Sequence, residues 1–193
     1  MSRASDSGRL AALALAGTLV LPVGRLVAQQ APPAAGIERS GPVIRNGGMS
    51  AAVPDATFKI PDGHVFKVMW EINVGVDSLA NQQLGTVARF YNLHARNGIP
   101  VERLHAAAVF HGTGWYALLT DSAHIARFGR PNPSRPLVEE LLKQGARLAM
   151  CGQTAAFRGV KREELLPGVD LAISAMTALN VFYAEGYRLN PWR

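Results

Sequence analysis

From His64 onward, runs with the period of a strand alternate with runs with the period of a helix, and few folds accept that order. HVFKVMWEINV (64–74) places Phe66, Val68, Trp70 and Ile72 on one face and Lys67, Glu71 and Asn73 on the other. That is the two-residue period of a strand with one partly polar face. In LANQQLGTVARFYNLHARNG, Leu84, Val87, Ala88 and Tyr91 recur at helical spacing, and Gly98 and Pro100 close the run. LHAAAVFHG (104–112) is short and apolar, suited to a buried parallel strand. WYALLTDSAHIARFG predicts two short helical turns, with Asp121 or Ser122 as the cap between them. PLVEELLKQG predicts a helix with Pro136 in its first turn and Gly145 at its end. ARLAMCG reads as a third strand, VKREELLPG as a short helix and VDLAIS as a fourth strand. AMTALNVFYAEG reads as a last helix, with Met176, Leu179, Phe182 and Tyr183 as its apolar face. The expectation is an α/β domain over 64–193, built on a mainly parallel sheet.

Parallel α/β sheets bind ligands outside the carboxyl ends of their strands. Three polar residues fall at those ends: His111, Cys151 and Ser174. Cys151 is the single cysteine of the chain, and Gly152, Gln153 and Thr154 follow it at the start of a segment able to form a helix. Backbone N–H groups and the helix dipole favour a thiolate at such a place, and the thiolate is the nucleophilic form. The plainer reading is a buried cysteine acting as a small hydrophobe. His111 has two readings as well. It can donate a hydrogen bond that stabilises a thiolate, or it can be a turn histidine facing water.

The chain's start bounds its compartment. Arg3 and Arg9 precede an almost wholly apolar run, Leu10 to Val23, and Ala28 stands before Gln29 and Gln30. This is the three-part pattern of a secretory signal peptide, expected over 1–28. The run is shorter than the roughly 20 apolar residues of a membrane span and is broken by Gly17 and Pro22. An exported, for instance periplasmic, protein with no stable membrane span after processing is expected. No Arg-Arg pair points to the twin-arginine route. Residues 29–63 are rich in Ala, Pro and Gly, starting as a tether. Val43, Ile44, Val53, Phe58 and Ile60 equip the later part to lie along the domain or to reach a neighbouring subunit. Beyond the leader remain about 165 residues, one ordinary domain able to bury a core without disulfides. A lone thiol in an oxidising compartment must be buried, paired between chains or kept for chemistry. The formal charge of +6 is spread without a Lys/Arg block, so with export it argues against nucleic acid as a partner.

Several site types lack their pattern. No Gly-rich phosphate fingerprint follows the first strand, where the sequence is INVGVDSLAN, so no nucleotide or flavin cofactor is expected. His64, His94, His105 and His124 have no paired spacing, and no metal site is expected. Glu163 and Glu164 are neighbours in a helical segment and do not share a face, so they are not an acid–base pair. Trp70, Trp115 and Trp192 are most simply core or interface aromatics, with Trp115 and Tyr116 placed to wall a pocket after the His111 turn.

Five ordered segments, VFHGTGWYALLTD, RFGRPNP, LVEELLKQGARLAMCGQTAAFRGV, LLPGV and SAMTALNVFYAEGY, resemble the DsrE/DsrF-like sulfur-relay family, in its exported single-domain branch. The resemblance spans residues 64–189. It implies a three-layer, flavodoxin-like fold with helices on both faces of the sheet, and assembly into trimers or hexamers. The motif MCGQTAAFRGV is similar to that family's carrier motif, which implies a persulfide-carrying role for Cys151. Two departures stand out: the relay of the characterised members is cytosolic, and this chain has no second cysteine.

Two functional classes follow. One is a sulfur carrier or sulfurtransferase in which Cys151 accepts a sulfane sulfur and passes it to another protein or a small thiol. The other is a non-catalytic homo-oligomeric binding or scaffold protein that keeps the fold. Whether the chain is an enzyme is open at this level.

Overall fold

The computed structural model describes residues 36–191. The expected leader, the first part of the linker and Trp192 lie outside the described residues. The chain forms β1 (Ile37–Glu38), β2 (Ser50–Ala51), β3 (Phe66–Ile72), α1 (Gln82–Arg96) and β4 (Leu104–Phe110). It continues through α2 (Asp121–Phe128), α3 (Arg135–Lys143), β5 (Arg147–Cys151) and α4 (Gly152–Arg158). β6 (Asp170–Ala172), α5 (Ala175–Ala184) and β7 (Arg188–Leu189) complete it, and 3₁₀ turns occupy Val101–Arg103, Gly114–Leu118 and Arg162–Glu164.

The main sheet has the order β6-β5-β4-β3-β7. Its pairings are all parallel. β3 and β4 run side by side from Phe66↔Leu104 to Ile72↔Phe110, and β4 meets β5 from Ala107↔Arg147 to Phe110↔Met150. Alternation splits each strand between two cores. Trp70, Ile72, Ala106, Ala108, Phe110, Leu148 and Met150 enter the larger one, beneath α1 and α3. Met69, Ala107, Val109 and Ala149 enter a smaller one with Ala178, Phe182 and Tyr187, beneath α5. The alanines of β4 keep both helical layers close to the sheet, so the fold is the three-layer α/β arrangement that the alternating pattern and the resemblance imply.

Three details differ from the sequence reading. Thr120, not Asp121 or Ser122, caps α2: its extended backbone lets Oγ1 accept from the Ala123 N–H. Asp121 already lies in the helix and binds Arg135 instead. On α5, Ala178 and Phe182 face the sheet one turn apart, which turns Met176 and Tyr183 outward. The sheet also gains β7, two residues long, which pairs with Val68 and Met69 and is too short to show a period.

The segment before β3 is held to α1 by polar contacts. Asn92 is fully buried. Its Oδ1 accepts from the Val43 and Ile44 N–H groups at 3.0 and 2.8 Å. Its Nδ2 donates to the carbonyls of Ile44, Gly47 and Gly48. Arg96 adds bonds to Ser50 Oγ and to the Ser40 and Gly41 carbonyls. Val43 and Ile44 therefore lie against the domain, whereas Val53, Phe58 and Ile60 stay exposed. Asn92→Ala removes five bonds and leaves buried backbone groups unpaired. We expect it to lower unfolding stability by about 2–4 kcal/mol in urea denaturation, with residues 36–51 becoming the first site of proteolysis. An unchanged midpoint and cleavage pattern would refute this account of the arm.

Candidate functional site: a thiol between two helix N-termini

Cys151 is both the last residue of β5 and the residue that caps α4. The strand turns directly into the helix, and Gly152 allows it. A Cβ on Gly152 would sit 2.4 Å from the Ala172 carbonyl oxygen and 3.0 Å from that of Ile173. Only a residue without a side chain lets the β5–α4 junction lie against the β6–α5 junction so closely. That approach brings the start of α5 to the sulfur. Cys151 is 5% exposed.

Burial pushes the Cys151 thiol up, but donors outweigh it and leave the thiol below its ordinary value. In order, they are the Thr154 N–H, the Thr154 hydroxyl, the Ala175 N–H and the Gln153 N–H. These act as electrostatic contacts, since the Cys151 side chain makes no capping hydrogen bond to α4. Gln153 and Thr154 belong to the first turn of α4, and Ala175 opens α5. The first turns of two helices thus act on one sulfur.

The other residues singled out in the sequence fall around this point. Ser174 caps α5, its Oγ accepting from the Thr177 N–H at 3.0 Å. The Gln153 side chain donates to the Ile173 carbonyl at 3.4 Å. Arg127 holds the far end of α4, donating to the Arg158 and Gly159 carbonyls and to both oxygens of Glu164. His111 follows β4 as Cys151 ends β5, and its Nε2–H donates to Glu71 Oε1 at 2.9 Å. Sequence reasoning missed Glu71 and the Ala175 N–H. The signal for Glu71 was a carboxylate near the end of a strand whose neighbours are apolar. Trp115 is buried in the larger core rather than walling a pocket. The hollow that opens at the end of β3 is lined by Val74, Val76, Leu79 and Asn81. Among the described residues no group of His, Cys, Asp and Glu is arranged to hold a metal ion. His124 is buried, its Nδ1 bonded to the Arg130 carbonyl.

A parallel α/β sheet with a thiol at the carboxyl end of an inner strand defines the class. The family model of the DsrE/DsrF-like family matches residues 77–191, and the chain belongs to that family. A protein of unknown function from Methanobacterium thermoautotrophicum has a similar solved structure, at 22% identity and a TM-score of 0.48. The match covers 65% of this chain and 97% of that one. A comparison with curated proteins gave no match.

Thr154→Val keeps the shape of the first turn of α4 and removes one donor to the sulfur. The thiol should then ionise at higher pH. At neutral pH, iodoacetamide alkylation of the folded protein should slow roughly tenfold, the size expected when one polar group that favours the anion is lost. An unchanged rate would mean that the hydroxyl does not act on Cys151.

Proposed function

We propose that the protein is an exported sulfur carrier or sulfurtransferase that holds a persulfide on Cys151. The observation that carries this reading is the close approach of the β5–α4 and β6–α5 junctions at Gly152, which brings the first turns of two helices to Cys151; their N–H groups lower the ionisation of the thiol. Such a thiolate attacks the outer sulfur of a persulfide or polysulfide donor. The donor's S–S bond breaks, its electron pair leaves on the donor thiolate, and Cys151 carries the sulfane sulfur. An acceptor thiol then attacks that outer sulfur, and the electron pair returns to Cys151. With one cysteine in the chain, the acceptor is a small thiol, another protein or another subunit.

Export rests on the leader pattern of residues 1–28. Assembly into a homotrimer or hexamer is part of the same reading. The apolar side chains on and beside α5 support it: Ile173 and Met176 are 75% and 78% exposed, and Val181 and Tyr183 also face outward. The slight exposure of Cys151 favours a second reading, a non-catalytic homo-oligomeric scaffold in which the thiol is only core.

The test is to size the full chain by light scattering, incubate it with polysulfide and weigh it. The carrier reading expects a closed oligomer that gains one sulfur per chain, loses it to a small thiol, and gains none as Cys151→Ser. A folded wild type that gains no sulfur, with a thiol that titrates only after denaturation, leaves the scaffold reading. A monomer at micromolar concentration removes the assembly part.

A further inference from the structure

A carrier thiol needs a proton acceptor when sulfur is handed on, because most acceptor thiols are protonated at neutral pH. Cys151 is occupied as the bond-breaking sulfur and cannot also be that base. A second pair of groups lies on the same face of the sheet. Phe110↔Met150 is the last register pair of β4 and β5, and His111 is the residue after the one as Cys151 is after the other. Phe110 and Met150 both enter the larger core, while Val109 and Ala149 enter the smaller one. Strand alternation therefore sends His111 and Cys151 to the α5 face, on strands that lie roughly 4.8 Å apart. Glu71 is on that face too, two residues beyond Met69, and it holds the His111 ring by the Nε2–H bond at 2.9 Å. Both side chains are little more than a quarter exposed, so the pair is partly shielded yet open to an incoming thiol. With Nε2 given to the carboxylate, Nδ1 is the ring nitrogen that can exchange a proton.

We propose that His111, oriented by Glu71, is the proton-transfer partner of sulfur exchange at Cys151. This inference rests on the carrier reading. In discharge, neutral His111 takes the proton of the acceptor thiol. The resulting thiolate attacks the outer sulfur of the Cys151 persulfide and the S–S bond breaks. The electron pair returns to Cys151, which is stabilised as a thiolate, and the acceptor leaves as a persulfide. In loading, the His111 imidazolium gives its proton to the departing donor thiolate. Over a full cycle a donor persulfide and an acceptor thiol become a donor thiol and an acceptor persulfide, with no net oxidation or reduction and no proton left over. Glu71 is a positioning residue: its carboxylate sets the orientation of the ring.

The measurement is single-turnover discharge of the polysulfide-loaded full chain to two acceptors. Mercaptoethanol is protonated at neutral pH and needs a base, whereas thionitrobenzoate is already ionised and does not. His111→Ala and His111→Gln should each slow discharge to mercaptoethanol by about 10²-fold, a usual contribution of general base catalysis. Discharge to thionitrobenzoate should stay near the wild-type rate, and added imidazole should restore the mercaptoethanol rate. Glu71→Gln, which keeps an acceptor oxygen but not the charge, should fall between wild type and the His111 variants with mercaptoethanol alone. Equal slowing with both acceptors, or no slowing, overturns the proton-transfer role while leaving the carrier reading standing. A wild type that never loads removes both.

Discussion

The chemistry proposed for Cys151 depends on the close approach of two strand–helix junctions, made possible by the missing side chain of Gly152. Carbonyl oxygens of Ala172 and Ile173 fill the space where a Cβ would be. The β5–α4 and β6–α5 turns therefore meet at one point, and the donor-rich starts of both helices face the same sulfur. Neither helix alone supplies the full set: Thr154 and Gln153 come from one and Ala175 from the other. Arg127 anchors α4 at its far end, and Ser174 caps α5 at the end beside the sulfur.

The electrostatic balance at Cys151 sets two opposed effects against each other. Removing a thiolate from water is costly, and burial alone would keep the thiol protonated. Several N–H groups and a hydroxyl, already oriented by the helices, reverse the direction. Because the folded chain holds the thiol below its ordinary value, ionised Cys151 favours the folded state. That contribution is present above the unfolded thiol's pKa and is lost as pH falls through the folded value. The same donors receive the returning electron pair when a persulfide on this sulfur is discharged, so the arrangement that stabilises the anion also makes Cys151 a good leaving group.

Much of the fold was legible because its signals are periodic. β3 declares itself by alternation, β4 by a short apolar run, and Cys151 falls at a strand end because the apolar run of β5 stops there. What stayed hidden depends on the third dimension. The outward turn of Met176 and Tyr183 follows from which side of an evenly apolar helix meets the sheet, and α5 carries no polar stripe to reveal it. β7 is too short to have a period. The role of Asn92 as a staple depends on a loop nearly fifty residues earlier in the chain. Glu71 was visible only as a polar residue on a mixed face; its partner comes from the next strand, forty residues on. The Ala175 N–H carries no side-chain signature at all.

With one cysteine in the chain, the central claim can be read from a single nucleus. Label the cysteine isotopically and follow its Cβ chemical shift against pH, in the folded full chain and in the chain unfolded by urea. A sulfur held by two helix N-termini ionises at lower pH in the folded protein than in the unfolded one. Ionisation at the same or a higher pH in the folded protein would mean that burial dominates, and Cys151 would then be a core residue rather than a carrier.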